Sequence, residues 1–291
     1  MIEVRAREHP ISIAFPSSVI YPLDNLMLAT IRLGYIARAA AIFRIDKIIV
    51  YNEKDNETYR RLQEISYEIL DYLSYPQYLR KIKFRMKPYL RYVGVLPPLK
   101  TPSHLVARNL GEVKLGDVRE GIITKVSGSR AEVELGLGQK FFLKLDASKG
   151  GSSKVGVGQR MLFKLKDIRN FEVEIADEQP KTFWCYKVEK ASSSLGSLLR
   201  SSKASFKVGT SRLGMPFYKA KDAIKKGYEK KGILIAFGGP KRGLKEILLE
   251  EKINLYEVFD VVVNTAKDQG VATIRTEEAI LISLAVINEI I

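Results

Sequence analysis

"DQGVATIRTEEAILISLAVIN" (Asp268–Asn288) is the stretch on which the fold turns. It runs from a Gly-containing loop through Thr-Ile-Arg-Thr-Glu-Glu into a segment that is apolar almost all round, the pattern of a helix buried on more than one side. A helix that only closes a core needs one cap. The dense polar cluster at this one's start suits a helix that holds something at its N-terminus. Glu277 and Glu278 either complement the helix dipole there or face a ligand, and spacing leaves both roles open.

Upstream, short apolar strands alternate with helical patterns. "VFDVVVN" (258–264) and "GILIAFGG" (232–239) read as buried strands, separated by a helix over 243–251. Before them come a basic helix over 221–230, a strand at "SFKVGTS" (205–211), a Ser-rich helix or loop at 191–202 and a strand at "TFWCYKV" (182–188). The N-terminal part repeats the rhythm. A strand at 11–15 is followed by a helix over 24–43 with Asp24 as its N-cap, a strand at "DKIIVY" (46–51) and a charged amphipathic helix over 54–73. Strand–helix alternation of this kind predicts an α/β domain with parallel strands.

The period changes between these two parts. After "KPYLRYVGVLPPLKTPSH" (87–104), apolar and polar residues alternate around Ile122–Val126, Ala131–Leu137, Leu143–Leu145, Met161–Leu165 and Phe171–Ile175. Five half-buried strands separated by "SGSR" and "SKGGSSKVGVGQ" predict a small antiparallel barrel of the OB type, inserted in the α/β domain. The expected division is 1–87 for the first α/β segment, 88–181 for the barrel and 182–291 for the second α/β segment.

Composition narrows the function. The 291 residues carry a formal net charge of +15, unevenly spread. Residues 72–111 hold eight Lys or Arg and no acid, and residues 181–245 hold 16 against Glu189, Asp222 and Glu229. Such clusters favour a polyanion, with nucleic acid first, and the barrel with its basic flanks favours RNA or DNA as its ligand. One cysteine, Cys185, and two histidines argue against a disulfide framework or a metal site. No run approaches the length of a membrane span, and no signal-peptide pattern opens the chain, so a cytoplasmic protein is expected.

Three loops follow apolar strands: "GTSRLG" (209–214), "FGGPKRG" (237–243) and "NTAKDQG" (264–270). In open α/β sheets, ligands bind beyond the carboxyl ends of the strands. Familiar nucleotide signatures are absent. Leu244 follows Gly243 where a P-loop needs Lys, and no G-x-G-x-x-G follows the first strand.

Three segments in order resemble the motifs of the SPOUT RNA methyltransferases. They are "GYIARAAAIFRIDKIIV" (34–50), "ILIAFGGPKRGL" (233–244) and "NTAKDQGVATIRTEEAILISLAVIN" (264–288). The inserted barrel matches the archaeal and eukaryotic subgroup. The resemblance implies a trefoil-knotted α/β domain, S-adenosylmethionine as cofactor and a homodimer with its active site at the subunit interface. Carried over by position, the cofactor pocket is Thr210, Ser211, Gly214, Phe237, Gly238, Gly239, Gly243, Asn264, Gln269, Gly270, Ile274, Thr276 and Ala279. Arg38 is the implied catalytic residue, with Arg275 second. The implied reaction is methylation of RNA, expected to be ribosomal, with a uridine ring nitrogen as target. It needs neither metal nor covalent nucleophile. The competing expectation is a non-catalytic RNA-binding or ribosome-assembly factor with a degenerate core.

Overall fold

The structure, a computed structural model, describes residues 4–84, 87–104, 107–145, 155–176 and 182–291. Of the expected Gly/Ser-rich barrel turn at 148–159, residues 148–154 lie outside the described residues. The chain forms two compact units: residues 7–74, 88–99 and 185–291 make an α/β unit, and residues 1–6, 75–87 and 100–184 make a barrel unit. Elements are numbered in chain order.

The α/β unit is built on six strands: β1 (Ile11–Pro16), β2 (Lys47–Tyr51), β8 (Lys187–Lys190), β9 (Phe206–Pro216), β10 (Ile233–Ala236) and β11 (Val261–Asn264). Their order is β11-β9-β10-β1-β2-β8, and every neighbouring pair is parallel. Successive side chains leave a strand on opposite faces, so these near-continuous apolar runs demand cover on both sides. One face (Ile13, Phe15, Ile48, Val50, Ile235, Val263) packs with α1 (Leu26–Ile42), α2 (Glu57–Ser74), α5 (Phe217–Lys231) and α8 (Thr276–Asn288). The other (Ala14, Ile49, Tyr51, Leu234, Ala236, Val262) packs with α4 (Leu195–Ser201), α6 (Leu244–Glu250) and α7 (Leu255–Val258).

The barrel unit holds α3 (Gln77–Lys83) and five strands: β3 (Val118–Ser127), β4 (Arg130–Glu134), β5 (Lys140–Lys144), β6 (Arg160–Asp167) and β7 (Glu172–Ile175). They close in the order β3-β4-β5-β7-β6, antiparallel except for the β5–β7 pair. Closure leaves no sheet edge open. Ile123, Val133, Phe141, Phe163 and Val173 fill the interior. Gly121 is needed there, because an added Cβ would stand 2.6 Å from Leu135, 2.8 Å from Phe163 and 2.9 Å from Val133.

Several expectations are corrected in detail. The N-cap of α1 is Asn25, which is extended and accepts from the Leu28 N–H at 3.1 Å, so Asp24 lies one residue too early. Of "TFWCYKV", only Lys187 onward aligns beside β2, while Thr182 makes an isolated bridge with Arg5. The division of the chain also differs. Residues 75–87 belong with the barrel, because Tyr75 and Leu79 pack on Ile122 of β3. Residues 88–99 belong with the α/β unit, where Leu99 is buried in the main core and Leu96 lies against Gly34.

Candidate active site at the carboxyl edge of the parallel sheet

Strands β9, β10 and β11 are neighbours, so the three glycine loops leave the same edge of the sheet. β9 departs from its ladder there. Gly209 is opposite Val262 and Met215 is opposite Val263, so Thr210–Gly214 form an excursion with no partner across from them. The excursion returns over the backbone of β11. A Cβ on Gly214 would stand 2.6 Å from the Val263 carbonyl carbon and 2.9 Å from its Cα and N. Only glycine permits that approach.

The end of β10 is held by three hydroxyl groups from three other elements. Thr210 donates to the Ala236 carbonyl (3.0 Å), buried Tyr51 to Phe237 (2.7 Å) and Thr276 to Gly238 (3.0 Å). Each bond brings a side-chain donor to a carbonyl at the end of the short strand, and together they fix the loop backbone. Beyond them the chain doubles back. The Gly239 N–H donates to the Arg242 carbonyl (2.8 Å), and a Cβ on Gly238 would meet the Gly243 Cα at 2.8 Å. Gly243 is then the extended N-cap of α6.

The third loop is tied to the first. Asn264 donates through Nδ2 to the Arg212 carbonyl (2.9 Å) and accepts from the Ala266 N–H (3.0 Å). Arg212 donates to the Ala272 carbonyl (3.1 Å), and Gln269 to Val271 (2.8 Å). Leu213 is 79% exposed, and Ser211 caps the turn by accepting from its N–H (3.2 Å). At Gly270 an added Cβ meets no atom within 4 Å. Ile274 and Ala279 are half-buried on either side of the α8 start, and the Ala279 N–H donates to the Arg275 carbonyl.

The polar cluster at the start of α8 therefore holds the protein's own loops. Thr276 holds Gly238. Glu278 accepts from the exposed N-cap residue's own N–H, that of Arg275, at 2.9 Å. Buried Glu277 faces the Arg32 guanidinium of α1 at 4.0 Å. Arg38, by contrast, donates to the Leu99 carbonyl at 2.8 Å, and the described geometry brings it to residues 88–99 and not to the glycine loops.

Sequence reasoning missed a second set of residues at this edge. Glu53, with its side chain 3% exposed, accepts from Ser18 (2.6 Å) and pairs with Arg242 (3.1 Å), which also pairs with Glu250. The two Arg242 contacts raise its pKa against the burial that lowers it. Ser18 follows β1 and Glu53 follows β2, and Gly239 is packed against both side chains. Polar residues just past buried parallel strands were the available signal.

Comparison with known proteins agrees with this geometry. A family model described as "Putative RNA methyltransferase" matches residues 10–287. An uncharacterized protein of Halobacterium salinarum is 33% identical over 94% of this chain and 96% of its own length. The 28S rRNA (uridine-N(3))-methyltransferase of Drosophila melanogaster is 31% identical over 99% of this chain and 64% of its own. The human protein of the same name is 30% identical over 98% of this chain and 80% of its own. With nearly the whole chain matched, and with a parallel sheet carrying three converging glycine loops and an inserted closed barrel, the protein belongs to this "Putative RNA methyltransferase" family.

Proposed function

We propose that the protein methylates N3 of a uridine in large-subunit ribosomal RNA, as a cytoplasmic homodimer, with S-adenosylmethionine held by the three loops after β9, β10 and β11. The observation that carries the site is the convergence of Thr210, Tyr51 and Thr276 on three successive carbonyls, 236 to 238, which preorganises a backbone-lined cradle. The cradle fits the cofactor. Room is left at Gly270, and the exposed Leu213, Met215 and Val271 offer apolar surface suited to an adenine ring. The relatives named as uridine-N(3) methyltransferases support the choice of target.

When bound, the cofactor supplies an electrophilic methyl carbon on sulfur. The protein must then orient the base and help N3 lose its proton to water as the new C–N bond forms and the carbon–sulfur bond breaks, its electron pair staying on sulfur. A uracil ring that loses the N3 proton gathers negative charge on its two carbonyl oxygens. Arg38, a permanent cation, stabilises that charge, and Arg275 at the cap of α8 holds a phosphate or ribose.

The dimer reading is supported by α1. Leu28, Tyr35 and Ile42 are 51%, 62% and 53% exposed and recur every seven residues, forming one apolar stripe. Arg38 lies between Tyr35 and Ile42 on the same helix, so a second copy covering the stripe brings Arg38 into the interface. Leu281 of α8, which packs beside α1, is exposed as well.

The test is calorimetric titration with S-adenosylmethionine, followed by nucleoside mass spectrometry of ribosomal RNA after incubation. One site per chain is expected, lost in Gly270→Trp. Arg38→Ala should bind cofactor normally while 3-methyluridine formation falls by about a hundredfold or more. RNA affinity without cofactor affinity would sink the enzymatic reading.

A further inference from the structure

The positive charge of this protein is not distributed as the barrel reading expects. On the strands of the barrel, four outward lysines face acidic neighbours across the sheet, while exposed Lys166 and Arg130 are in no ion pair among the described residues. Lys125 and Lys140 flank Glu132 (4.0 and 2.9 Å), Lys144 pairs with Glu172 (2.7 Å) and Lys164 with Glu174 (3.3 Å). A phosphate approaching these strands meets alternating charge.

Helix α5 is the opposite case. It carries Lys219, Lys221, Lys225, Lys226, Lys230 and Lys231 against Asp222 and Glu229. Among the described residues none of those six lysines is in an ion pair, although ion pairs are common elsewhere in the chain. The buried face of the helix is Ala220, Ile224, Gly227 and Tyr228. On one flank, about 125° round the helix from the centre of that face, Lys219, Lys226 and Lys230 fall on one line, within about 40° of each other, spaced roughly 10 and 6 Å along the axis, with Asp222 about 60° further round. The helix begins where the Thr210–Gly214 excursion ends, and its first turn presents Tyr218, 59% exposed. Tyr218 neighbours Lys219 at that first turn, about 100° round the helix from the row, so a strand crossing the turn can stack a base on the ring while the row tracks its backbone.

We propose that the outward face of α5, formed by Tyr218, Lys219, Lys226 and Lys230, is the surface that holds the RNA strand beside the methyl-transfer site, and that the barrel strands do not supply the phosphate contacts. This rests on the RNA reading above and assigns its surface. Each phosphate contact on a single strand contributes about 0.7 to the slope of log affinity against log salt, so three contacts contribute about 2. At 0.1 M salt that amounts to roughly a hundredfold in affinity.

The experiment is fluorescence anisotropy of the full-length protein with a labelled single-stranded RNA of about 20 nucleotides, across a salt series. The variants are K219Q/K226Q/K230Q on α5 and K125Q/K140Q/K144Q on the barrel. Glutamine keeps helix propensity close to that of lysine. The α5 variant should lose about a hundredfold in affinity and about 2 in slope, and the barrel variant should change little. Tyr218→Ala should lose about tenfold with its slope unchanged. Cofactor titration of each variant reports folding and should match the parent. An α5 variant that binds as the parent does, or a barrel variant that loses as much, overturns the assignment alone. A parent chain that binds cofactor but not RNA overturns the RNA reading and the assignment together.

Discussion

Replacing Gly214 with alanine puts a methyl group into the one place where β9 lies on the backbone of β11. The added carbon would stand 2.6 Å from the Val263 carbonyl carbon and 2.9 Å from two further backbone atoms. Because those atoms are backbone of β11, whose Val261, Val262 and Val263 are buried, relief must come from moving a whole strand, β9 or β11. Overpacking of this kind costs typically 1–3 kcal/mol, and rigid backbone on the far side argues for the upper end, about 3. Alanine also restricts the unfolded chain, which returns about 0.4–1 kcal/mol, leaving a net loss of about 2. For a unit of this size that lowers the melting temperature by roughly 4–8 °C. Gly270 provides the control within the same proposed site. Its Cβ would meet nothing within 4 Å, and Gly270→Ala should melt within about 2 °C of the parent or slightly above it. Scanning calorimetry of the three proteins measures both effects, and cofactor titration should show weaker binding for Gly214→Ala, whose excursion is displaced. If Gly214→Ala melts and binds as the parent does, the close approach of β9 to β11 is not a constraint and the account of the loop is wrong.

Other outcomes follow from single contacts. Tyr51→Phe removes the hydrogen bond that Tyr51 donates to the buried Phe237 carbonyl and should cost about 1–3 kcal/mol in urea denaturation; a change below about 0.3 would show that the loop finds another donor. Arg242→Ala leaves buried Glu53 without its cation and should cost about 3 kcal/mol, part of which Glu53→Gln in the same chain restores. A double-mutant cycle with no coupling between the two positions would refute that. Glu120, beside Arg160 in the barrel unit, has its pKa raised by burial above the ordinary 4.5, against the pull of Arg160. A raised folded-state pKa contributes stability that is full below the unfolded value and is lost as pH rises through the folded one. The difference in stability between parent and Glu120→Gln should therefore shift against the parent as pH climbs above about 4.5, and a pH-independent difference would contradict it.

The order of elements was legible because burial leaves a period in the chain. Apolar runs such as Ile233–Ala236 and Val261–Val263 require a sheet covered on both faces, and the alternation from Ile122 to Ile175 requires one face inward, which distinguishes α/β sheet from barrel. The three glycine loops were legible too, as backbone that must approach other backbone. Local signals failed where the deciding contact is distant. Residues 88–99, with their prolines, read as the start of the barrel segment, yet Leu99 is buried in the α/β core, and Tyr75 and Leu79, expected with the first α/β segment, pack on Ile122. Asn25 and Asp24 are equally good caps by composition, and only the backbone at Asn25 decides between them.

By itself, then, the sequence determined the two architectures, their nesting, the loops that line the sheet edge and the excess of positive charge, since each follows from residue type and spacing. Only the tertiary structure decided which partners those residues take. It gave Thr276 to Gly238, Glu277 to Arg32 and Arg38 to Leu99, and it paired four lysines of the barrel strands while leaving those of α5 without an ion pair among the described residues. Pairing of side chains far apart in the chain depends on how strands register and helices cross. Those arrangements are settled by packing of the whole core, and no local pattern records them.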